Sequence, residues 1–94
     1  MVKMSDIYIT NSDLDIFKKF IPSDEDVVYA TYGLIAHMIG KIVYRWKTPF
    51  VFTNKHVIFF QIPHQNKAEG FFKIPLYKTH VFNNYKHVYI SYLD

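Results

Sequence analysis

The sequence predicts a mainly β domain with one short N-terminal helix, an antiparallel meander that forms a partly open barrel or sandwich. Three observations lead there. A single helical pattern precedes Pro22, apolar and aromatic residues alternate with period two from Val27 onward, and turn residues separate these runs at short intervals. Strands and helices do not alternate, so a parallel sheet is not expected. Half of the residues are hydrophobic and 19% are aromatic, which suffices to fill a core, and 94 residues suit a single domain. Residues 1–22 read as a leader carrying the helix, and 23–94 as the meander.

The helix covers Ser12 to Phe20. Ser12 can cap it, Asp13 and Asp15 lie in its first turn, and Lys18 and Lys19 lie in its last, as the helix dipole favours. Leu14 and Phe17 form its apolar face, with Ile16 and Phe20 beside them. Pro22 ends it, because the proline ring disfavours helical geometry at Ile21. A polar turn, Pro22-Ser23-Asp24-Glu25, leads into a long first strand, Val27 to Met38, in which Gly33 marks a bulge. Ile39-Gly40-Lys41 turns into a second strand, Ile42 to Thr53. There Trp46, Phe50 and Phe52 share one side and Arg45, Lys47, Val51 and Thr53 the other. Pro49 suggests a strand edge or a break. Thr53-Asn54-Lys55-His56 makes a tight hairpin into Val57–Ile62. After a polar loop from Pro63 to Gly70 come strands at Phe71–Leu76 and Thr79–Phe82, a turn at Asn83–Lys86, and a last strand at His87–Leu93. That strand places Val88, Ile90 and Tyr92 on one face.

The charge is divided along the chain. Residues 1–26 carry six acids and three lysines, whereas residues 27–94 carry eight bases and only Glu69 and Asp94 as acids. A basic body attracts anionic partners such as phosphate headgroups, nucleic acid or acidic peptides, and it also serves plain solubility. Without cysteine, disulfides, thiolate metal sites and thiol catalysis are excluded. The first residues, Met1 to Asp6, lack the apolar run of a signal peptide, and Val27–Gly40 is too short and too polar to span a bilayer as a helix. The expectation is a soluble, cytoplasmic protein, or one peripheral to a membrane.

Three segments are similar to the pleckstrin-homology-like superfamily, especially GRAM domains and small bacterial PH-like domains. Phe20-Ile21-Pro22-Ser23-Asp24-Glu25-Asp26-Val27-Val28 resembles the acidic turn that leads into their first strand. Phe50-Val51-Phe52-Thr53-Asn54-Lys55-His56-Val57-Ile58-Phe59-Phe60 resembles their central hairpin, and Phe72-Lys73-Ile74-Pro75-Leu76 the strand before their next turn. The resemblance implies a PH-like barrel over residues 20–94, used as a scaffold for protein or headgroup binding. It also implies a seventh strand and a C-terminal helix plugging the barrel, for which nothing remains after Leu93. The leading helix takes the plugging role, a partner chain covers the open edge, or the fold is an abbreviated variant. An open edge invites self-association.

Lys41, Arg45 and Lys47 are the candidate ligand- or anion-binding residues. At period two their side chains share a face across the first hairpin, where the resemblance implies cations converging on phosphate. A solvated strand face is the plain alternative. Trp46, the sole tryptophan, is a candidate interface or ligand-stacking ring, or else a core ring beside Phe50 and Phe52. His37, His56, His64, His80 and His87 show no metal-ligand spacing, so no metal or cofactor is assigned. No catalytic residues are assigned either: the carboxylates cluster in the leader, Ser23 and Ser91 lack an elbow motif, and Gly33, Gly40 and Gly70 are isolated. Tyr44-Arg45-Trp46-Lys47 and Tyr85-Lys86-His87 interleave aromatic and basic residues as nucleic-acid binders do. The expected function is thus a non-enzymatic binding module for a protein partner or an anionic lipid. The alternatives are a structural homo-oligomer built through an open sheet edge and a nucleic-acid-binding protein.

Overall fold

Among the described residues, six strands form one open sheet in the order β4-β3-β2-β1-β6-β5. The computed structural model describes residues 11–82 and 87–91. The elements are α1 (Asn11–Lys18), β1 (Val27–Ile39), β2 (Ile42–Thr53), β3 (His56–Gln61), β4 (Gly70–Pro75), β5 (Thr79–Phe82) and β6 (His87–Ser91), with a short 3-10 turn at Leu76–Lys78 between β4 and β5. The domain is mainly β with one short N-terminal helix, as its alternating pattern predicts. The turn at Asn83–Lys86 and the Tyr92–Leu93 end of the last strand lie outside the described residues, as do residues 1–10.

Neighbours in sequence pair antiparallel from β1 to β4. The β1–β2 hairpin closes on the pair Ile39↔Ile42. Its two-residue turn needs a positive φ at the first central position, and Gly40 supplies it at 61°. One ladder departs from the meander. The β5–β6 hairpin adds to the free side of β1, where β6 runs parallel to Leu34–Met38. β1 pairs with β2 on one side and leaves its other edge to β6, whose Val88 and Ile90 are buried in the inner cluster. The bulge lies at Val28 rather than Gly33, which pairs regularly with Thr48, because the register shifts between Val27 and Tyr29. Pro49 does not break β2. It sits where the β2–β3 ladder stops, one residue before the pair Phe50↔Phe59.

The sheet has two faces with different cover. On the inner face, Ile35, Phe50, Phe52, Val57, Phe59 and Ile74 pack with Val88 and Ile90 of β6 in one buried cluster, so the sheet curls β6 over β2–β4. On the outer face, Leu14 and Phe17 of α1 pack on Ala30, Val51 and Ile58. Phe71 meets Phe17 edge-on at 5.4 Å and stacks on Phe20 at 4.8 Å. The leading helix therefore lies outside the inner cluster and covers only part of the outer face.

Candidate cationic sheet face

What α1 leaves uncovered is set by strand register. Side chains on alternate positions of paired strands align in rows across the sheet. One row of the outer face runs Lys47, Leu34, His87, Phe82; the next runs Arg45, Ala36, Tyr89, His80. Cations thus stand on β2, small and aliphatic side chains floor β1, and rings stand on β6 and β5. Leu34, Ala36, Arg45, Phe82, His87 and Tyr89 line a shallow depression of about 430 Å³. Arg45 and Lys47 are exposed and, among the described residues, form no ion pair. None of the six strands contains an aspartate or glutamate, so no carboxylate within the sheet opposes these cations.

The three predicted cations are separated along the hairpin. Arg45 and Lys47 occupy adjacent rows, about 6.7 Å apart along an extended strand. Lys41 sits in the turn beside Gly40, exposed, about 13 Å beyond Arg45 at the same rise per residue. Trp46 lies on the opposite face. It is only 7% exposed, its indole N–H donates to the Phe60 carbonyl at 2.8 Å, and its ring lies 5.2 Å from that of His64. That bond bridges β2 to β3 beyond the end of their ladder.

Two clusters escaped sequence reading. The first joins His37 on β1 to His64 in the β3–β4 loop, Nδ1 to Nε2 at 2.9 Å, with both residues buried. The protons can be assigned. His64 Nδ1 lies 2.9 Å from the Ile62 carbonyl, which can only accept, so Nδ1 carries the proton. In the neutral ring Nε2 then accepts, and His37 Nδ1 donates to it. Burial above all, with His64 and Lys67 nearby, pushes the His37 pKa down to about 4. Tyr44 stacks on His64 at 4.6 Å and closes the cluster. The only sequence signal was parity: His37 is in phase with Ile35 on β1.

The second cluster is a clasp. Thr53 donates its hydroxyl proton to Glu25 Oε1 at 2.6 Å, and His56 Nδ1 donates to the same oxygen at 2.6 Å. Thr53 Oγ1 in turn accepts from the N–H groups of Lys55 and His56. Asp26 and Asn54 add two further bonds between the acidic turn and the hairpin. The Thr53 hydrogen bond, and then His56, hold the Glu25 carboxyl below its usual pKa against the opposing effect of burial. With its proton and lone pairs committed, the Thr53 hydroxyl offers nothing to a substrate. The cluster holds the β2–β3 hairpin against the start of β1.

Elsewhere, a cleft of about 550 Å³ opens between the start of β1 and β5. Its lining is mainly apolar, from Val28, Phe52, Leu76 and Val81, and holds no cation. Among the described residues no three histidine, aspartate or glutamate side chains gather into a metal-binding group. No helix among them is long and apolar enough to cross a membrane. Comparison of the chain with protein-family models, with curated proteins and with solved structures finds no match.

Proposed function

We propose that the protein is a non-enzymatic binding module that takes an anionic partner, an acidic protein surface or a phosphate headgroup, on the outer face of β2, β1, β6 and β5. One observation carries the reading. Arg45 and Lys47 stand exposed in adjacent rows of a sheet face that no described element covers, beside a depression, in a sheet whose strands hold no carboxylate. Cations with no carboxylate on the strands around them raise the local concentration of anions and favour their binding. Lys41 extends this field to the hairpin tip. A PH-like or GRAM-like scaffold belongs to the same proposal. It is supported by the clasp through Glu25, Thr53 and His56, which joins two of the segments that carry the resemblance. So does a cytoplasmic location, peripheral to a membrane where the partner is a headgroup.

Co-sedimentation with vesicles containing phosphatidylserine or phosphoinositides, alongside retention on an immobilised polyanion, tests the reading. The wild type binds at least one of them, and the triple variant Lys41→Ala/Arg45→Ala/Lys47→Ala loses that binding. Equal behaviour of the two proteins removes the proposal. A second reading, self-association, is favoured by the sheet being open, with β4 and β5 at its edges. Light scattering at high concentration decides it, and a strict monomer rules it out.

A further inference from the structure

The rows of the cationic face carry more than charge. We infer that this face is a binding site for single-stranded nucleic acid, with the phosphate backbone along β2 and the bases on the rings of β6 and β5. The inference rests on the reading of this face as a site for an anionic partner, and it puts a single-stranded nucleic acid in place of the headgroup or acidic protein. Arg45 and Lys47 form a line along one strand. Tyr89 and Phe82 form a second line two and three strands away, about 10 and 14 Å from β2 at ordinary strand spacing. Between the lines the floor is lowest in the Arg45 row, where β1 carries only Ala36; in the Lys47 row Leu34 and His87 lie between the cation and Phe82. Phosphates on the first line can therefore send their bases across the floor to the second.

The rings are placed for stacking. Phe82 is 54% exposed, and Tyr89 is half-buried. They are diagonal neighbours on paired strands, about 7–8 Å apart at their Cα atoms. Each can receive its own base. Tyr32, 57% exposed on the same face of β1, extends the aromatic surface past Leu34. His80 lies at 6.4 Å from Phe82, with the two rings near parallel. An aromatic ring open to solvent serves any base alike, since every base offers a π-face. A lipid headgroup would use the cations and leave the rings idle, and an A-form or B-form duplex would keep its bases out of their reach.

Fluorescence anisotropy with labelled oligouridylate and oligothymidylate of about 12 nucleotides tests this, with a hairpin duplex as control. Both single strands should bind. With two phosphate contacts, affinity should fall about sevenfold between roughly 50 and 200 mM salt. Arg45→Ala/Lys47→Ala should flatten that dependence. Phe82→Ala and Tyr89→Ala should each weaken binding at least fivefold while leaving the salt dependence in place, and Tyr89→Phe, which keeps the ring, should bind as the wild type does. Thermal unfolding confirms that each variant is folded. No binding at low salt, equal binding of the duplex, or indifference to loss of the rings overturns the inference. If these fail while anionic vesicles still capture the wild type and not the triple variant, only the nucleic-acid assignment falls. If vesicles and immobilised polyanion also fail, the underlying reading falls with it.

Discussion

Acidification from about pH 7 to 4.5 should weaken the fold through His37. Its imidazole is 1% exposed and donates to His64, and burial lowers its pKa from the usual 6.5 to about 4. The unfolded chain then takes up a proton near pH 6.5, whereas the folded protein resists until about pH 4. The stability that this neutral histidine contributes is therefore full above pH 6.5 and is lost as pH falls from there to about 4. A shift of that size corresponds to roughly 3 kcal/mol over the whole window, most of it spent by pH 4.5. Glu25, whose pKa is also lowered, adds its own loss only below its unfolded value of 4.5, so a comparison with a His37 variant above that pH is free of it. Urea unfolding followed through Trp46, which lies beside His64, provides the assay. In His37→Gln the amide can still donate to His64 while no proton is taken up, so its stability should vary far less between pH 6.5 and 4.5. Equal pH slopes in the two proteins, or a flat wild-type curve, would refute the assignment of a buried neutral His37.

Two further outcomes follow from packing and hydrogen bonding. Phe17→Ala removes a ring that is 2% exposed between α1 and the sheet, and chemical denaturation should show a loss of about 3–5 kcal/mol. Thr53→Val, close to isosteric, strips the clasp of the hydroxyl that serves Glu25 and two backbone amides. It should cost about 1–3 kcal/mol in the same assay, with amide exchange accelerating at Lys55 and His56 before it does so in β1.

Local chemistry made much of the fold legible. Gly40 and Lys41 gave away the first hairpin because a two-residue turn needs a positive φ that glycine adopts freely. Thr53 to His56 did the same for the second, and the parity of Trp46, Phe50 and Phe52 identified the inner side of β2 correctly. Long-range choices were harder to see. Nothing local distinguishes a β1 edge that stays open from one that takes β6 in parallel, since that ladder is selected by the burial of Val88 and Ile90 against strands far away in sequence. For the same reason the two buried polar clusters were invisible: His37 meets His64 across 27 residues, and Glu25 meets His56 across 31. Arg45 and Lys47 were legible as one face of β2, whereas Lys41, expected beside them, lies in the turn. The aromatic line opposite them was not, because it exists only once β6 and β5 pair beside β1.

Amide chemical-shift mapping during titration with tripolyphosphate, a compact probe carrying only anionic oxygens, shows whether the cationic sheet face takes up anions. Perturbations concentrated at Leu34–Ala36, Arg45–Lys47 and His87–Tyr89, and erased by the triple lysine and arginine variant, are the predicted result. Shifts centred on α1 or on the hairpin at Thr53–His56, or a spectrum indifferent to the probe at low salt, would contradict it.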